Sequence, residues 1–226
     1  MDPEQLKNAV LFLIALILSI CVHEFGHAFV ADRLGDPLPR AQGRVTLNPI
    51  AHVDPIGTLL FPIIGFFMAS MGAGGLIGWG KPVRISLSPR AITKKISIKT
   101  AHLLIAIAGP MMNVLFALVL SVLFFAIAKT RPGAPMLTAI AYVILMNATL
   151  AFFNLIPCPP LDGGAVLRGI LPRSLEFISD QLEKFGFMLF FLLLIPIHGT
   201  SIISILLEPA SNAALWWIQH LAMWAR

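Results

Sequence analysis

Charge is scarce in this chain. Only 12% of its 226 residues are Asp, Glu, Lys or Arg, against roughly 25% in an average soluble domain. With 58% of the residues hydrophobic and a mean hydropathy of +0.87, that scarcity excludes an ordinary water-soluble fold. Cysteine is equally sparse. Cys21 lies in an apolar run and Cys158 between two prolines, which excludes a disulfide framework and a cysteine-built zinc cluster. No apolar-poor block reaches the about 50 residues that an appended soluble domain needs. Residues 1–226 therefore read as a single transmembrane domain, with a core over 6–170 and C-terminal helices over 185–224. There is no internal repeat, low-complexity tract or linker. The start, Met-Asp-Pro-Glu-Gln-Leu-Lys, has neither the basic opening nor the small-residue cleavage site of a signal peptide, so the first apolar run is expected to stay in the mature protein.

The net charge of +5 could suggest nucleic acid. The basic residues, however, fall in short segments between apolar runs, where lipid headgroups and topology account for them. No nucleic-acid partner is expected.

Four runs are long enough to span a membrane, since about 20 apolar residues cross the hydrocarbon core. They are Leu6 to Leu34, closed by Gly35; Ala101 to Ala128; Pro135 to Leu161; and Phe185 to Leu207, kinked or broken near Pro196. Ala214 to Trp224 carries Trp216, Trp217, His220 and Trp224, the chemistry of an interfacial belt. The expected fold is an all-α integral membrane helical bundle of four to six transmembrane helices. A short membrane-associated β element is expected between the first two, with Gly43 to Pro49 (GRVTLNP) as a strand and Trp79 to Leu87 as a second extended piece. Between these pieces, Pro55 to Gly78 is uncharged but interrupted by proline and glycine, and either crosses or re-enters the membrane. Re-entry sets Lys7, Lys129 and Arg131 against 12 other basic residues, whereas crossing gives 10 against 5. The sharper split favours re-entry and puts the richer face in the cytoplasm.

His23-Glu24-Phe25-Gly26-His27 matches the pattern H-E-x-x-H. Residues four apart on a helix share one face, so both imidazoles can bind one ion while Glu24 reaches a water on it. In this apolar run each ionisable group costs about 2.5 to 3.5 kcal/mol unless it is paired or faces a cavity, which argues against a chance match. A catalytic zinc needs a third protein ligand and an open position. The carboxylate at the end of another apolar run is Asp162, in the segment NLIPCPPLDGG over residues 154–164. Pro157, Pro159 and Pro160 interrupt the helix, and Gly163 and Gly164 permit close backbone approach. Lipid tolerates such broken backbone only where it lines a cavity or is buried in protein.

HEFGH, then AGPMMN over residues 108–113, then NLIPCPPLDGG together resemble the site-2 protease family of intramembrane zinc metalloproteases. The resemblance spans residues 23 to 164 and fades after Arg168. It implies one Zn2+ per chain held by His23, His27 and Asp162, with Glu24 as the general base that takes a proton from the attacking water. It implies Asn154 near the substrate backbone or the developing oxyanion. Substrates would be transmembrane proteins cut within or near their spanning segments, in the bilayer of the cell membrane and nearer its cytoplasmic side. The chain has no room for the PDZ or CBS domain of some members, so regulation is expected through partners, lipids or loops. A substrate helix must unwind to expose its carbonyls, and GRVTLNP is placed to pair with it along a strand edge.

Two other functions fit less well. A divalent-metal transporter would use the same ligands but needs no general base, and a non-catalytic relative that binds membrane proteins has no need of an intact Glu24. His52 and Asp54 read as a polar turn rather than as a pair beside the metal. Cys158 reads as a small buried hydrophobe, His102 and His198 as packed or interfacial, and Lys94, Lys95 and Lys99 as a solvated basic face.

Overall fold

The computed structural model describes residues 3–70, 78–86, 96–197 and 200–226. Its helices are α1 (Pro3–Leu34), α2 (Leu38–Ala41), α3 (Phe61–Ser70), α4 (Ile98–Thr130), α5 (Met136–Asn154), α6 (Asp162–Ile170), α7 (Glu176–Leu194) and α8 (Ile202–Trp224). A hairpin of β1 (Pro196–Ile197) and β2 (Thr200–Ser201) precedes α8. Helices α1, α4 and α5 are long and apolar enough to cross a membrane, and the chain is a multi-pass membrane protein.

These three helices pack on one another, and α8 lies across α4 and α5. In lipid, helices gain little from hiding apolar surface and associate where small residues let their backbones touch. A Cβ placed on Gly26 would lie 2.6 Å from the Ala108 carbonyl oxygen and 2.8 Å from Met112 Cγ, so α1 and α4 meet at that level. Toward the other end, Leu221 and Ala225 close over Ala117, Phe124 and Ile144. Trp217 Nε1 donates to Ser121 Oγ at 3.0 Å there. Helix α1 stops at Gly35, whose φ of 103° suits a residue without a Cβ, while Asp36 N returns to Ala31 O at 3.0 Å.

Several sequence expectations are corrected. The third run leaves its helix at Asn154, because residues 155–161 with their three prolines form a tight turn and Asp162 opens a new helix. The run from Phe185 to Leu207 is, as expected, broken near Pro196, with α7 ending at Leu194. Pro209 lies inside α8, and the tryptophan-rich segment continues that helix onto the core. The expected strand at residues 43–49 does not form, and among the described residues strands occur only at 196–197 and 200–201. Side chains take the backbone groups a ladder would need: Thr46 Oγ1 accepts from Asn48 N, Asn48 Oδ1 from Ile50 N, and Thr46 O from His52 Nε2, while Cys21 Sγ donates to Leu47 O. The edge pairing expected of that segment therefore lacks its strand.

The excursion that begins at Pro55 returns beside its own start. Trp79 N donates to Gly57 O at 3.0 Å, Lys81 N to His52 O at 2.9 Å, and Thr58 Oγ1 to Trp79 O at 2.7 Å. Gln42 and Arg84 exchange two further hydrogen bonds, each 3.3 Å. The two ends of the excursion therefore lie side by side. Residues 78–86 carry no regular secondary structure; Leu87, Arg90, Lys94, Lys95 and His198 lie outside the described residues. Single cysteines at Arg40 and Arg84, in a background lacking Cys21 and Cys158, are expected to react with an impermeant maleimide from the same face of the membrane. Labelling from opposite faces would mean that the excursion crosses.

Candidate metal centre

Helix α1 carries His23 and His27 one turn apart, and the first residue of α6 brings Asp162 to them. The two Nε2 atoms are 3.1 Å apart, and Asp162 Oδ2 lies 3.1 Å from one and 3.2 Å from the other. The rings meet edge to face, with centroids 4.7 Å apart. Their outer nitrogens fix the proton positions. His27 Nδ1 lies 2.7 Å from the Ile105 carbonyl oxygen, which can only accept, so Nδ1 carries the proton and Nε2 is bare. His23 Nδ1 lies 2.8 Å from Asn113 Oδ1, with the same consequence.

With both rings neutral, three lone pairs thus converge, and Asp162 Oδ2 is buried without a hydrogen-bond partner. Without a cation the arrangement is repulsive, and a buried unpartnered carboxylate oxygen is costly. A cation at the centre of the triangle would turn the repulsion into coordination. The edges of 3.1 to 3.2 Å approach the about 3.3 Å separating ligands of a tetrahedral ion with bonds of about 2.0 Å, and two imidazoles with one carboxylate suit zinc. Among the described residues, these three side chains form the group able to hold a metal ion.

The backbone around the triangle is shaped by glycine. A Cβ on Gly109 of α4 would strike His27 Nε2 and lie 2.7 Å from His23 Cε1. One on Gly163 would strike the carbonyl oxygens of Leu155 and Ile156, and one on Gly164 would lie 2.8 Å from Pro159 Cγ. The turn after α5 is therefore folded tightly against the start of α6, which brings Asp162 inward.

Glu24 lies beside the triangle rather than in it. Its Oε2 accepts a hydrogen bond from Val83 N at 3.2 Å, and a Cβ on Gly80 would lie 3.3 Å from its Oε1. The segment 78–86 therefore passes over α1 at Ile20 and Glu24. Asn154 is not brought to the triangle by any hydrogen bond, and its Nδ2 donates to Leu150 O of its own helix at 3.0 Å.

The minor candidates fall outside the triangle. Asp54 Oδ1 caps the turn at Pro55, accepting from Ile56 N and Gly57 N. His52 is fully buried, bonded through Nε2 to Thr46 O, and burial lowers its pKa. Cys158 is buried with its thiol toward Gly186 O, and His102 is exposed on α4. Lys99 is not a solvated face. Its Nζ donates to Leu171 O at 2.6 Å and Glu176 Oε1 at 3.0 Å, tying the start of α4 to α7. Two residues that the sequence pattern did not single out are Ser19 and Asn147, which join Asn113, the last residue of AGPMMN, in a polar group beside His23; their signal was an amide or hydroxyl inside a spanning run.

The profile of Peptidase family M50 matches residues 11–141 and 128–197. The chain is 34% identical over 211 residues to YwhC of Bacillus subtilis, covering 90% of this chain and 88% of that protein. It is 29% identical over 189 residues to Rip2 of Mycolicibacterium smegmatis, covering 82% and 67%. A zinc metalloprotease of Methanocaldococcus jannaschii is 30% identical over 172 residues, covering 76% of this chain and 37% of that protein. YwhC and Rip2 also bear zinc metalloprotease names. No solved structure matches the chain.

A methyl group at residue 109 would press on both imidazoles at once. Gly109→Ala is therefore expected to purify with far less zinc than the parent protein, measured by elemental analysis. Gly169→Ala, whose methyl would press on Leu103, with Cβ at 2.7 Å, rather than on an imidazole, is the matched control and is expected to keep its zinc. Undiminished zinc in Gly109→Ala would contradict the packing described.

Proposed function

Because the chain belongs to peptidase family M50, the site-2 proteases, we propose that His23, His27 and Asp162 hold its zinc and that Glu24 is the general base. The protein is an intramembrane zinc metalloprotease acting on membrane proteins. The observation that carries the ligand assignment is the meeting of two bare imidazole nitrogens and an orphaned carboxylate oxygen.

Bound zinc supplies two effects at such a site: it lowers the pKa of a water toward about 7 and it polarises the scissile carbonyl. Glu24 adjoins His23 in the chain. In this scheme it takes the proton from the attacking water and passes it to the leaving amine. The Val83 N–H on Glu24 Oε2 supports the role by fixing the carboxylate's orientation. Asn154, at the broken end of α5, would exchange its bond to Leu150 O for one to the substrate backbone or the developing oxyanion. Residues 1–226 act as one catalytic domain, cutting within or near the spanning segments of substrates in the cell membrane. The basic bias of the loops supports a site nearer the cytoplasmic side, and regulation would come from partners, lipids or loops. A metal transporter leaves Glu24 without work.

Glu24→Gln keeps the side chain's shape but cannot accept a proton. It is expected to retain zinc while losing about 100-fold to 10,000-fold in turnover on a helical model substrate; parental turnover would remove Glu24 from the mechanism. Asn154→Ala is expected to keep zinc and lose about 100-fold to 1000-fold in kcat if it bonds the oxyanion. A rise in KM alone would indicate substrate positioning, and unchanged rates would reduce Asn154 to an end cap of α5.

A further inference from the structure

Ser19 of α1, Asn113 of α4 and Asn147 of α5 meet where the three spanning helices pack, each with no exposed surface. Buried amides in such a setting are costly unless every donor and acceptor is matched. Here the bonds are not only matched but have one direction. The Val143 carbonyl can only accept, so Asn147 turns its Nδ2 toward it at 2.8 Å. The second N–H of that group goes to Ser19 Oγ at 2.8 Å, whose own proton is spent on Ala15 O at 2.7 Å. Asn147 Oδ1 therefore faces away and accepts from Asn113 Nδ2 at 2.8 Å. The other N–H of Asn113 goes to Ser19 O at 3.1 Å. What remains of Asn113 is its oxygen, which lies 2.8 Å from His23 Nδ1.

We infer that Asn113 is a positioning residue for the metal centre, holding the ring proton of His23 on Nδ1, and that Asn147 and Ser19 fix which way its amide points. The inference rests on the assignment of His23 as a zinc ligand. Were the Asn113 amide to turn over, its oxygen would face two acceptors, Ser19 O and Asn147 Oδ1. Its N–H would then face His23 Nδ1 and drive the ring proton to Nε2, the atom that must be bare to bind zinc. The two histidines differ in how this is secured. His27 is set by the Ile105 carbonyl, part of a helix backbone that cannot rotate. His23 is set by a side-chain amide that can, and two further side chains remove that freedom. The relay also makes the geometry of one ligand depend on the mutual packing of α1, α4 and α5.

A role limited to joining helices would predict lost stability and an unaltered metal site, so the test separates the two. Nitrogen-15 shifts of the metal-free parent protein are expected to show the His23 proton on Nδ1. Zinc titration with a competing chelator should give about tenfold to 100-fold weaker binding in Asn113→Leu, the range for losing a group that orients a ligand, and a smaller loss in Asn147→Leu. In both, the visible bands of the cobalt-substituted protein should shift. Asn113→Asp breaks the bonds to Ser19 O and Asn147 but keeps an acceptor against His23. It is expected to lose thermal stability yet hold zinc much as the parent does. Parental affinity and spectra in both leucine variants would overturn the relay, provided His23→Ala loses zinc. If His23→Ala binds zinc as the parent does, the ligand assignment fails first. Should the leucine variants not fold, a His23 proton found on Nε2 of the parent protein overturns the inference by itself.

Discussion

Two imidazole nitrogens and one carboxylate oxygen lie within 3.2 Å of each other, with no proton to share, inside a bundle of apolar helices. Their mutual repulsion is the constraint on which the surrounding structure depends. While both rings are neutral, a metal cation at the centre of the triangle relieves it. Once both Nδ1 atoms are committed to oxygen acceptors, the imidazoles cannot act as donors to Asp162 while neutral. A site of this kind is built for a metal before any substrate is considered.

The helices are arranged to hold that convergence. Gly26 and Gly109 let α1 and α4 approach until the rings fill the space between them. The tight turn after α5 brings Asp162 in at the head of α6, and Lys99 ties the start of α4 to the segment that follows α6. Glu24 is held by Val83 N, from the segment over residues 78–86. His23, Glu24 and His27 thus share α1 but are oriented by different parts of the chain, and Asp162 reaches them from α6.

Much of this was legible in the sequence. The HEFGH cluster stood out because an uninterrupted apolar run makes ionisable groups expensive, and Asp162 because prolines and glycines at membrane depth require a cavity. The basic residues favour re-entry of residues 55–78, and hydrogen bonds between residues 42–58 and 79–84 bring the two ends of that stretch together. The failures have a common cause. GRVTLNP carries strand-forming residues, but Thr46, Asn48 and His52 satisfy the backbone locally, a competition that residue preference does not register. Lys99 looked like one more solvated lysine because its partners, Leu171 and Glu176, lie more than 70 positions away. Asn147 gave only a weak signal, an amide in an apolar run, and Asn113 stands out only as the end of AGPMMN; their meaning lies in contacts between helices.

The ligand set can be read from the metal itself. X-ray absorption at the zinc edge of the purified protein should show nitrogen and oxygen neighbours at about 2.0 to 2.1 Å, with outer-shell scattering from two imidazole rings. In His23→Ala, reloaded with excess zinc, one ring's contribution should disappear. A sulfur neighbour at about 2.3 Å, or a zinc spectrum that His23→Ala leaves unchanged, would contradict the site described.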